Sequence, residues 1–121
     1  MNRNSMTIRF AGVAIALLLA SPAIARDVAI PGGRVTHFSD PPTETDLARA
    51  GSTAASLLVY HSICGQLSTR SLVFVADLVG VAGAVRVESF IGDASSFALR
   101  NGTAGYCYWV RTTLPAEVFA P

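Results

Sequence analysis

The chain has 121 residues and a formal net charge of +1, with 51% hydrophobic side chains and only 14% charged ones. That length carries one domain and not two. Its nine basic residues, all arginine, are scattered rather than gathered into a block that could track phosphates, so nucleic-acid binding is disfavoured.

The first element in chain order is a targeting segment. Arg3 and Arg9 precede the apolar run Ala11 to Ala20, and Ser21-Pro22-Ala23-Ile24-Ala25 places small residues at the −3 and −1 positions before Arg26. A positive start, a short apolar core and an A-x-A-like end predict a secretory signal peptide over residues 1–25. The apolar core is far short of the roughly 20 residues that cross a bilayer, so no membrane span is expected after cleavage. No cysteine near the cleavage point prepares a lipid anchor. The expected location is the periplasm or the exterior. Cleavage after Ala25 would leave 96 residues with seven arginines and eight acidic side chains, a formal charge of −1.

Residues 26–42 read as an irregular N-terminal arm. Pro31-Gly32-Gly33 is a turn signal, a short strand fits 34–38, and Ser39-Asp40-Pro41-Pro42 stops regular structure. A single compact domain is expected over 43–114. Its first helix starts at Thr43-Glu44-Thr45-Asp46, where Thr43 can accept the Asp46 amide and Asp46 can return the bond. Leu47, Ala50, Ala54, Leu57, Leu58 and His61 then follow at helical spacing, with Cys64 in the last turn and Gly65 as the residue after the cap.

Ser68-Thr69-Arg70 opens a second segment, Ser71 to Val81, apolar throughout except at Asp77. Leu72, Val75, Ala76, Val79 and Ala82 form a helical face, although Leu72-Val73-Phe74-Val75 also suits a buried strand. The last third supports two readings. As helix, Ala84, Val87, Ile91, Ala94 and Ala98 share a face, and Gly92, Ala94, Gly102, Ala104 and Gly105 would permit close crossings. As sheet, alternation on either side of Asn101-Gly102 makes a hairpin. The helical reading is preferred. The expected fold is thus mostly α, a small disulfide-stapled helical domain; the alternative is α+β, with one N-terminal helix and a C-terminal antiparallel hairpin around Asn101-Gly102. Pro115 ends the last element, and 115–121 reads as a C-terminal tail.

Cys64 and Cys107 are the only cysteines, and in an oxidising compartment they are expected to pair. In the chain-entropy view, closing that segment destabilises the unfolded chain by roughly 4 kcal/mol, a large share of the stability of so small a domain.

Candidate chemistry is sparse. His61 and Cys64 stand three apart, close enough on a helix for an imidazole to activate a thiolate with Asp77 or Asp93 orienting it, but a disulfide would consume the thiol. His37, His61, Cys64 and Cys107 have no recognised metal-ligand spacing, so no metal or other cofactor is expected. Glu88 and Asp93 are the closest acid pair outside the helix cap, in a domain too small to wall a sugar cleft. Asn101-Gly102-Thr103 matches a glycosylation sequon. The densest aromatic patch is Tyr106-Cys107-Tyr108-Trp109, supplemented by Tyr60, Phe90 and Phe97. With Arg100 and Arg111 it supplies the residue types that dominate interface hot spots. The same rings also read as the main core of a domain short of large side chains.

These features point to a small exported binding protein (an inhibitor, an immunity-type protein or an envelope accessory factor) rather than an enzyme. Its partner would be another protein, engaged through Arg100, Tyr106, Tyr108, Trp109 and Arg111. Two alternatives stay open: a small envelope hydrolase using His61 and a nearby acid, and an oligomeric structural or assembly subunit that buries 71–85 on association.

Overall fold

The computed structural model describes residues 27–121; the expected signal peptide, residues 1–25, lies outside them. Thr43 and Asp46 open the first helix as their spacing predicts. The Asp46 amide donates to Thr43 Oγ1 at 3.1 Å, and the Thr43 amide donates to Asp46 Oδ2 at 3.1 Å. This capping box starts α1 (Glu44–Ile63), whose Ala50, Gly51, Ala54, Ala55, Leu57 and Leu58 are buried. The helix closes at Cys64, whose amide donates to the Tyr60 carbonyl. Gly65 follows without a positive φ, so the left-handed cap that its position suggested does not form.

Ser68 caps α2 (Thr69–Ala82) by accepting the Ser71 amide. The strand reading of this apolar block fails because it is sandwiched. Phe74, Val75, Leu78, Val79 and Val81 are all buried, and β-branched side chains are accepted in a helix when burial rewards them. Asp77 is half-buried and Val73 half-exposed. Gly83, at φ +91, is the single residue between α2 and α3 (Ala84–Thr113), and only glycine takes that conformation without strain.

α3 is helical on both sides of the dipeptide that suggested a hairpin, so the α+β alternative is rejected. Gly102 has φ +78 and ψ 158, which breaks the helix into arms 84–101 and 103–113. Asn101 Nδ2 donates to the Phe97 carbonyl at 2.9 Å, folding its side chain back onto the last turn before the break. The turn propensity of Asn101-Gly102 is therefore real, but the helices continue beyond it.

α1 is the central helix and packs against both α2 and α3. Close approach occurs at Gly51, where an added Cβ would lie 3.0 Å from Phe90 Cδ2. It does not occur at Gly92 or Gly102, which have open space around them, nor at Gly105, whose nearest neighbour is its own helix's Asn101. Those three glycines were expected to permit close crossings and do not serve that purpose.

The flanking segments are also more ordered than expected. β1 (Asp27–Ala29) pairs antiparallel with β2 (Val35–His37), Val28 opposite Thr36, across a turn in which Gly32 and Gly33 both have φ +101. Val28 and Phe38 are buried in the core. Arg49 reaches back from α1 to Thr36 Oγ1 and the His37 carbonyl, and its guanidinium lies 4.2 Å from the Phe38 ring centre. The segment read as an irregular arm is thus a small ribbon fastened to α1. At the other end a 3-10 turn, Ala116–Phe119, buries Val118, whose carbonyl accepts from Ser71 Oγ. Phe119 packs against Tyr60 in a tilted pair with ring centres 4.9 Å apart, and Glu117 pairs with Arg34 at 2.9 Å. Residues 115–121 are therefore a closing element rather than a loose tail.

Candidate functional site

The disulfide forms as expected. Cys64 and Cys107 are joined with their Cα atoms 5.6 Å apart, tying the end of α1 to the 103–113 arm of α3. That anchor fixes the phase of the arm, and helical periodicity then divides the aromatic cluster. Tyr106 and Val110, one turn apart, point inward and are fully buried. Tyr108 and Trp109 point outward, 72% and 41% exposed.

Of the five residues expected to contact a partner, Tyr106 is buried and offers no free surface of its own. Its hydroxyl donates to the Ser56 carbonyl at 2.8 Å, and desolvation pushes its pKa up to about 12. Arg111 turns toward the C-terminal segment: Nη1 donates to Tyr60 Oη at 3.1 Å, and its guanidinium lies 5.7 Å from the Phe119 ring centre. Arg100 belongs to the other arm, 6.0 Å from the centre of Phe97. Trp109 meets the same Phe97 ring at 4.9 Å. Phe97 is thus the hinge of the cluster, with Arg100, Tyr106 and Trp109 gathered around it.

Beside Trp109 lies a groove of about 170 Å3. Ser52 and Ser56, one turn apart on α1, form one wall. Phe90, Asp93, Ala94 and Phe97 from the 84–101 arm form the other, and the buried Tyr106 ring contributes the floor. A second hollow of about 140 Å3 is lined by Ser52, Thr53, Ser56, Trp109, Thr113 and Leu114. Trp109, Ser52 and Ser56 thus border both hollows. Asp93 is the one ionisable acid at this groove, and among the described residues no hydrogen bond or ion pair engages its carboxylate.

Sequence reasoning named Phe90, Phe97 and Asp93 but did not join them, and it passed over Ser52 and Ser56. A signal was available: Ser52 and Ser56 are spaced i, i+4 beside the apolar stripe of α1, as are Phe90, Ala94 and Ala98 on α3.

The catalytic candidates are engaged elsewhere. Cys64 has no thiol to offer once it is bonded to Cys107, which removes the cysteine nucleophile. His61 Nδ1 accepts the Leu67 amide at 2.9 Å, so the ring holds the turn between α1 and α2, with no carboxylate bonded to it among the described residues. Asp77 sits on α2, and burial raises its pKa. Glu88 and Asp93 are five residues apart on one helix and so occupy different faces; Glu88 does not reach the groove. Among the described residues no group of three His, Cys, Asp or Glu side chains could hold a metal ion, and no helix is long and apolar enough to cross a membrane. The features gathered at the groove are aromatic side chains, the hydroxyl-bearing Ser52, Ser56 and Tyr106, and the Asp93 carboxylate.

Comparison with models of protein families, with curated proteins and with solved structures finds no match to this chain.

Proposed function

We propose that this chain is a small exported binding protein whose activity is recognition of another protein, in the periplasm or outside the cell. The observation that carries the reading is the adjacent pair Tyr108 and Trp109, held outward on a helical arm that a disulfide fixes to the core. Aromatic rings of this kind are the commonest interface anchors, because they bring large contact area with few rotatable bonds. Fixing the arm before binding lowers the ordering cost of association. Leu99, also well exposed on α3, adds apolar surface.

The hydrolase alternative is not preferred: His61 Nδ1 accepts the Leu67 amide, and no carboxylate is bonded to the ring among the described residues. The assembly alternative rested on an apolar segment, 71–85, left bare in a single chain; α2 already buries most of it against α1 and β1.

The test is affinity capture with the disulfide-bonded protein from its native surroundings. Trp109→Ala and Tyr108→Ala should each weaken capture, by about 2 kcal/mol for a central anchor, while far-UV circular dichroism and the disulfide stay unchanged. Full-strength capture by both folded variants would remove this surface from consideration.

A further inference from the structure

We propose that the groove between α1 and the 84–101 arm receives an arginine side chain of the partner protein, stacked on the Phe97–Trp109 wall with its guanidinium paired to Asp93. The inference rests on the recognition reading above and names what that site takes. Two observations carry it. The groove is lined by aromatic faces: Phe97 and Trp109 meet at 4.9 Å in a tilted pair, and Phe90 extends the wall. An aliphatic stem finds apolar surface along such a wall, and a cation finds the negative faces of the rings. Asp93 lies in the same lining with no hydrogen bond or ion pair among the described residues; Asp77 and Glu88 are unpaired too, but neither lines the groove.

Charge complementarity therefore selects a cation, and the combination of flat rings with a carboxylate selects guanidinium over ammonium. A planar guanidinium stacks and forks at the same time, which a compact ammonium cannot do. The chain's own Arg100 does not fill the place. It lies 6.0 Å from the Phe97 ring centre and does not line the groove. The volume, about 170 Å3, suits one side chain and excludes a folded element, so the partner would insert a single residue there.

Trp109 is the sole tryptophan, so its fluorescence reports the groove directly. The intact protein is titrated with the capped tripeptide acetyl-Gly-Arg-Gly-amide, and with two counterparts in which citrulline or norleucine replaces arginine. The expected result is a saturable change with the arginine peptide and binding about five- to tenfold weaker with citrulline, the neutral isostere. Asp93→Asn should bring arginine down to the citrulline level, and Glu88→Gln, on another face of the helix, should leave the affinity as it was. Equal binding of arginine and citrulline, tightest binding of norleucine, indifference to Asp93→Asn, or no saturable change would each overturn the proposal. Capture of a partner that depends on Tyr108 and Trp109 but coexists with failure of the arginine peptide would sink the groove assignment alone. Arginine binding without any protein captured would sink the recognition reading instead.

Discussion

At Asp46 and Asp77 two carboxylates of one small domain are driven in opposite directions. Asp46 accepts backbone amides from Ser39 and Thr43, which hold its pKa down at about 2 against an ordinary 3.8. A depressed carboxylate contributes stability that is full above the unfolded value and is lost as pH falls from about 4 towards 2. Asp77 is desolvated on apolar α2, with no compensating bond among the described residues, so its pKa is raised and its contribution is lost as pH rises through the raised value. Asp46→Asn should flatten the acid limb of a urea-midpoint profile, and Asp77→Asn should raise the midpoint at neutral pH. A profile unchanged by either substitution would contradict this assignment. Tyr106 gives the alkaline counterpart. With its folded pKa at about 12 against an ordinary 10.0, its contribution is lost as pH rises through that window. Tyrosinate absorbance should show one step displaced to about pH 12, and that step should vanish in Tyr106→Phe. Which rings of Tyr106, Tyr108 and Trp109 face inward was not legible from composition. It follows from the phase of a helix that a distant cysteine fixes, and a run of three aromatics within four positions is compatible with either phase.

Among the elements, local signals were legible wherever they act within a few residues. The Thr43–Asp46 box was read because donor and acceptor are three apart in sequence, and Ser68-Thr69-Arg70 marked the opening of α2, although the helix begins at Thr69 rather than Ser71. Asn101-Gly102 was readable as a break but not as the kind of break. A positive φ at Gly102 serves a hairpin turn or a helix interruption equally, and the decision is made by burial of Val87, Ala98, Tyr106 and Val110 on either side. Gly102 at φ +78 and ψ 158 occupies a region closed to residues with a Cβ, so Gly102→Ala should lower stability by about 1–3 kcal/mol. Chemical denaturation measures this directly, and an alanine variant at least as stable as the parent would mean that one continuous helix is the better state. The closing segment was missed for a different reason. Val118 and Phe119 are two apolar residues beyond a proline, too few to show a period, and their burial depends on Ser71 and Tyr60 far back in the chain.

For the whole molecule, the Cys64–Cys107 bridge and the packing of both flanks on the helices act together. The ribbon meets the C-terminal turn through Arg34 and Glu117, and a Cβ on Gly32 would lie 2.8 Å from Glu117 Cγ, so the two flanks close on one another. The pairing was legible because only one partner existed for each cysteine; the contact between the flanks has no signature in sequence. Cys107→Ala should cost about 2–5 kcal/mol, and the oxidised protein should show no thiol when denatured without reductant. Two titratable thiols in that material would refute the bridge. By freeing the 103–113 arm, its loss should also weaken partner capture beyond what the lost stability explains. The central claim is that the arm and groove around Trp109 form the face that meets a partner. Amide hydrogen exchange, compared between the free protein and its complex with the captured partner, tests it most directly. Slowed exchange is predicted within 90–97 and 103–113 and along the Ser52–Ser56 turn of α1, with the ribbon and α2 unchanged. Protection confined to the ribbon or α2, with the Trp109 arm exchanging as in the free protein, would contradict it.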